Sequence, residues 1–230
     1  MIAYLDSEQP KYFGIGLSRT GTTSLHAALL QLGFRSHHWV VDCEDRLADA
    51  VDAYAANAIS DLNASYCFET LYYAFPAAKF IYTQRPEDQW VEAVKNHYGL
   101  ESPQDLKELL RQIPVSDCPG VCEVHRPLFH LIHHAIYTGH PTWLAAYRAH
   151  DARVKSFFGA RPDKLLEIDI FSGAPVWPAL CDFVGRPLEG GDFPRLNWRG
   201  GSKLRRYVHY GGDTAAKSDR INSKNPPPPL

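Results

Sequence analysis

FGIGLSRTGTTSL, residues 13–25, is the stretch that decides how this chain is read. A short apolar run ends at Gly16, passes through a polar turn and enters the helix-forming TTSLHAALL. That order places a turn between a buried strand and a helix. Successive backbone N–H groups in such a turn converge on one anion, and the helix adds the positive end of its dipole. Gly16 and Gly21 suit backbone geometry that a Cβ hinders. Thr22 and Thr23 bring hydroxyls to the helix start. Ser18, Arg19, Thr20, Gly21, Thr22, Thr23 and Ser24 are therefore the candidate anion cradle.

The nucleotide-triphosphatase loop reads G-x-x-x-x-G-K-[ST], with the Lys on the terminal phosphates and the hydroxyl on Mg²⁺. The spacing from Gly16 to Gly21 fits, but Thr22 stands where that Lys belongs. The cation of this loop is Arg19. A phosphate site is expected, and metal-dependent ATP hydrolysis is disfavoured.

Outward from the loop, strand and helix alternate. Strands are expected at 11–17, 58–62, 79–83 and 164–170, with an extended piece at 36–41. Helices are expected at 22–32, from Asp42 to about 56, at 65–75, after Pro86, and at 175–184. Alternation of this kind implies parallel strands joined by crossover helices. Residues 103–158 read as helical throughout, with Trp143, Leu144, Tyr147, Val154, Phe157 and Phe158 as a core-facing stripe. The expected fold class is α/β, a parallel β-sheet flanked by helices. One domain covers 1–211. Residues 212–230 end in NPPPPL and read as a disordered proline-rich tail.

Composition narrows the function. Of the 230 residues, 45% are hydrophobic and 22% charged, which suits a globular domain. A net charge of −2 gives no electrostatic case for nucleic acid or a membrane surface. No apolar run reaches the roughly 18 residues of a membrane span, and the first residues lack a secretory pattern. Five scattered cysteines argue against a disulfide framework and fit a reducing cytoplasm. Cys118 and Cys122 flank a Pro-Gly turn and have no second pair to complete a zinc site. His130 and His134 have helical metal-binding spacing but lack the Glu of H-E-x-x-H, so no metal is expected.

Three segments together resemble the sulfotransferases that use 3′-phosphoadenosine 5′-phosphosulfate (PAPS). SRTGTTSL is similar to their 5′-phosphosulfate loop, with Arg19, Gly21, Thr22 and Thr23 at matching positions. AAKFIYTQRPEDQWVEAV, residues 77–94, resembles the strand and helix that hold the 3′-phosphate, with Arg85 as the motif arginine. VWPALCDFVGRPLEGGDFPRLN, residues 176–197, resembles the family's C-terminal stretch. The chain departs at Ala93, where the family carries a serine, and at Arg19, where cytosolic members carry lysine. The late glycine-rich loop is approximated by Arg199, Gly200 and Gly201.

The resemblance implies a P-loop, nucleoside-kinase-like sulfotransferase fold. It also implies transfer of a sulfuryl group from PAPS to a hydroxyl or amine of a small molecule, leaving adenosine 3′,5′-bisphosphate. Arg19 would stabilise the leaving phosphate, and Arg85 would grip the 3′-phosphate, with an ion pair to Glu87 or Asp88 as its competing role. Arg199 and Gly201 would fold over the nucleotide. Asp61 falls where cytosolic members place a histidine base, and His37 and His38 are the next candidates. Residues 96–147, with Tyr98, Phe129, His133 and Tyr137, are expected to build the acceptor pocket. A homodimer is compatible with the sequence. Two other readings stay open: a P-loop kinase of small molecules, and a nucleotide-binding relic of the fold without turnover.

Overall fold

A computed structural model describes residues 10–38, 56–112, 126–187 and 191–196. Five parallel strands form one sheet: β1 (Tyr12–Gly14), β2 (Ser36–His38), β3 (Ala58–Ser60), β4 (Lys79–Gln84) and β5 (Leu165–Asp169). Their order is β2-β3-β1-β4-β5, and every pair is parallel. The chain leaves β1 toward β2 and leaves β4 toward β5. The crevice between β1 and β4 is therefore the point where connections part, where ligands of open α/β sheets collect.

The helices are α1 (Thr22–Gln31), α2 (Leu62–Ala74), α3 (Glu87–Tyr98), α4 (Pro103–Gln112), α5 (Arg126–His133), α6 (Trp143–Phe158) and α7 (Val176–Val184). Alternation along the strands sorts them onto two faces. Tyr12, Ile81 and Ile168 pack with Leu25, Leu29 and Leu180 of α1 and α7. Phe13, Phe80 and Tyr82 point the other way and pack with Phe68, Val154 and Phe158 of α2 and α6. A third cluster caps the carboxyl edge of the sheet, where Leu17 and Leu62 meet Trp90, Val94, Leu106, Ile132 and Trp143.

Several expectations shift in detail. β1 ends at Gly14 because the chain peels away from β3, although Ile15 N–H still donates to Ile81 O at 2.9 Å. α2 starts at Leu62, three residues early, because the Asp61 carboxylate accepts the Leu62 N–H at 2.8 Å. The helical stretch expected over 103–158 is broken. A π-helical turn spans His134–Thr138, and α6 begins afresh at Thr142, whose hydroxyl accepts the Ala145 N–H. In the stripe on α6, Trp143, Tyr147, Val154 and Phe158 are buried, and Leu144 and Phe157 are half-buried. The helix expected from Asp42, the cysteine pair Cys118–Cys122 and the tail lie outside the described residues. No helix of the described residues is long and apolar enough to cross a membrane.

Gly16 is the close-approach glycine of the loop. A Cβ there would lie 1.9 Å from Thr83 Oγ1 and 2.6 Å from Thr83 O. That space holds the hydrogen bond between Thr83 and Thr20 hydroxyls, 2.7 Å long, which ties the turn to β4. Gly16→Ala is expected to destabilise the fold by about 1–3 kcal/mol through overpacking, read as a lower urea midpoint at unchanged slope. An unchanged midpoint would show that the loop is not seated against β4 as described.

Candidate active site

Each strand delivers residues just past its carboxyl end to one cavity. Ser18, Arg19, Gly21, Thr22, Thr23 and Ser24 follow β1, and His38 ends β2. Asp61 follows β3, Arg85 follows β4, and Ile170 and Phe171 follow β5. The cavity holds about 730 Å³ of empty space, including its open mouth.

The loop is held from several sides. Ser18 N–H donates to the Tyr137 hydroxyl at 3.1 Å, and Trp90 Nε1–H donates to Ser18 O at 2.9 Å. Gly21 takes φ +101°, and a Cβ on it would meet Ile170 Cδ1 at 2.6 Å. No side chain caps the N-terminus of α1. Gly21 to Ser24 line the cavity, so the positive dipole end of the helix lies beside it.

Of the three arginines that line this space, Arg19 and Arg85 stand close together. Arg19 is shifted to lower pKa, first by burial and then by the Arg85 charge. Arg85 is also lowered by burial, against the pull of Asp169 and Glu92. Arg85 stacks on the Phe171 ring, 4.2 Å from its centroid, and its NH1 reaches Arg19 O at 3.4 Å. Its Nε is buried without a partner among the described residues. Glu87 is engaged by Arg148 at 2.7 Å instead, so the competing ion pair of Arg85 with Glu87 is not formed. Two close cations in a partly buried site disfavour one another, and an anion between them removes that cost.

Opposite in charge stands Asp61. His38 Nε2 lies 3.5 Å from its Oδ2 and 3.2 Å from the hydroxyls of Thr22 and Thr23. Burial pushes the Asp61 carboxyl up, against the His38 charge and the Leu62 N–H, which hold it down. Among the described residues, Arg19 (φ +72°) and Asp61 (φ +103°) are the two non-glycine residues in the left-handed half of backbone space. Both line the cavity. Such conformations cost about 1–3 kcal/mol each and persist where the surroundings impose them.

The other sequence candidates divide. Thr20 turns inward, where its hydroxyl donates to Leu17 O and accepts from Thr83. His37 precedes His38 on β2, so alternation sends it to the opposite face, and it does not line the cavity. Arg199 and Gly201 lie outside the described residues. Tyr98, Phe129, His133 and Tyr137 are core rather than an acceptor pocket. Tyr98, Phe129 and Tyr137 are buried in one cluster, the buried His133 ring packs on Phe129 with centroids 4.0 Å apart, and the Tyr98 ring is stacked parallel on Trp143 at 5.6 Å. His134 bonds the Thr138 hydroxyl, and no group of metal-ligating side chains occurs among the described residues. The cavity also takes in His97 from α3, which no motif marks, with Arg195 and Leu196 of the C-terminal segment. Leu196 N–H donates to Ser24 Oγ at 3.0 Å, which brings the last described segment over the loop.

The sheet order and the convergence of all five strand ends define a parallel α/β protein built around a glycine-containing strand-to-helix loop. The family model described as "Sulfotransferase domain" matches residues 11–57 and 45–201. The chain belongs to the sulfotransferase domain family, and its fold is the P-loop sulfotransferase type. It is also similar to the Ava biosynthesis cluster protein M of Aspergillus versicolor, at 22% identity over 217 residues, covering 81% of this chain and 80% of that protein.

Proposed function

We propose that this protein transfers the sulfuryl group of PAPS to a hydroxyl, or an amine, of a small-molecule acceptor. The observation that carries this reading is the coincidence of strain and chemistry. Arg19 and Asp61, a cation and a base, are the strained pair, and both border the same cavity. Observed strain at a cavity is a reason to infer function there. Membership of the sulfotransferase domain family supports the reaction class. The relative named for a biosynthesis cluster supports a small-molecule acceptor.

The residues fit the donor nucleotide. The mutually repelling Arg19 and Arg85, the unpartnered Arg85 Nε and the uncapped α1 N-terminus each gain from an anion. Bound there, PAPS supplies an activated sulfuryl group. The loop N–H groups, Thr22 and Thr23 would hold its 5′ end, and Arg85 its 3′-phosphate. The acceptor would bond to sulfur as the sulfur–oxygen bond to the phosphate breaks. Asp61, supported by His38, takes the acceptor's proton, and Arg19 meets the charge left on the phosphate oxygen.

Calorimetry on the whole chain is the test. Adenosine 3′,5′-bisphosphate is expected to bind at least about tenfold more tightly than ATP with Mg²⁺, a difference of about 1.4 kcal/mol. Labelled sulfate from PAPS should then appear on members of a panel of phenols, alcohols and amines. Preference for ATP with Mg²⁺ would favour a kinase. Tight bisphosphate binding without any transfer would indicate a relic of the fold.

A further inference from the structure

Among the described residues, buried histidine ring nitrogens have hydrogen-bond partners, with one exception. His133 donates Nδ1–H to Phe129 O at 2.9 Å. His150 donates Nε2–H to Ile15 O at 2.8 Å, and His26 Nδ1 meets Ser36 Oγ at 2.9 Å. His97 Nδ1 is buried with no partner among the described residues, and no hydrogen bond satisfies its other ring nitrogen there. Buried polar atoms are rarely left so, and each case asks for a reason. His97 also lines the cavity that holds Arg19 and Asp61. It reaches that cavity from the helical layer, on α3, whereas the candidate donor-binding residues follow the strand ends.

We infer that His97 is a positioning residue for the acceptor, offering an uncharged imidazole to which the incoming hydroxyl hydrogen-bonds while Asp61 takes its proton. This rests on the sulfuryl-transfer reading above. The ring is set by its edge-on contact with Tyr98, centroids 4.8 Å apart. It is also kept neutral. Burial, the Arg19 charge and His133 lower its pKa to about 3, so the ring stays neutral in the working range, with one N–H to donate and one nitrogen to accept. A donor or acceptor with no protein partner gains a full hydrogen bond from a ligand, and a mismatched ligand gains nothing.

The test compares His97→Leu with His97→Gln, which keeps hydrogen-bonding atoms and cannot titrate. Both should bind adenosine 3′,5′-bisphosphate as the parent does. His97→Leu should raise the acceptor KM about tenfold or more, the effect of losing about 1.4 kcal/mol of binding, and His97→Gln should recover most of it. The acid limb of the rate profile should stay in place in both. Equal acceptor KM in parent and Leu variant would overturn the assignment, as would loss of bisphosphate binding in both variants. A second readout needs no turnover. The ¹⁵N resonances of the His97 ring, assigned by their loss in His97→Gln, should move when phenol, cyclohexanol or glucose is added to the bisphosphate complex. If none moves them, the inference fails. If the parent does not bind the bisphosphate at all, the sulfuryl-transfer reading fails instead, and this inference falls with it.

Discussion

Arg19→Ala is expected to lower turnover about 10²–10³-fold, the usual loss when a fixed donor to a developing oxyanion is removed. Negative charge builds on the phosphate oxygen only as the sulfur–oxygen bond breaks. A guanidinium fixed there therefore acts in the transition state more than on bound substrate. The loss should fall on kcat more than on the PAPS KM. Arg19→Lys should recover part of it, since an ammonium keeps the charge but not the paired fork. The fold should survive. Arg19 sits at φ +72°, a conformation that costs an L residue about 1–2 kcal/mol. Arg19→Gly removes that strain together with the guanidinium, so its thermal midpoint should not fall below that of Arg19→Ala. Steady-state rates and thermal unfolding on the three variants check this. Parental turnover in Arg19→Ala would remove the residue from the chemistry.

The loop was legible in the sequence because three signals coincide within residues 13–25: an apolar run, paired glycines and a hydroxyl-rich helix start. Arg85 was legible as the residue after an apolar strand. What the sequence does not carry is direction. Thr20, Thr22 and Thr23 look equivalent in a string of letters, yet Thr20 is drawn into the core by Thr83 and Leu17 O. His37 and His38 differ only by strand alternation, and the face each takes is set once β2 pairs with β3. The aromatic run from Tyr98 to Tyr137 suits a pocket wall and a core equally well. Its fate was decided by mutual ring contacts, Tyr98 stacked on Trp143 and Tyr137 edge-on to both. His97 had no motif to mark it, because its significance lies in an absent partner and in proximity to Arg19. Those properties exist only after α3 packs against the loop.

Asp61→Asn is expected to reduce kcat about 10²–10⁴-fold, the range for loss of a general base, and to do so without unfolding the protein. Asn keeps an oxygen for the Leu62 N–H that the carboxylate accepts at 2.8 Å, and with the same shape as Asp it adds no backbone strain to that already present at φ +103°. The pH dependence follows from the direction of the shift. Burial raises the Asp61 pKa above its ordinary value, so the folded state favours the protonated acid. Its stabilising contribution is complete below the unfolded pKa, about 3.9, and is lost as pH rises through the folded value. At neutral pH the ionised carboxylate is a cost to the fold that Asn does not carry, so the variant should unfold at an equal or higher temperature. Transfer needs the ionised form, so the parental rate should climb with pH along a limb centred above the usual carboxylate range. That limb should vanish in Asp61→Asn. An acid limb that persists unchanged in the variant would transfer the proton-accepting role from Asp61 to His38, which lies within 3.5 Å of it.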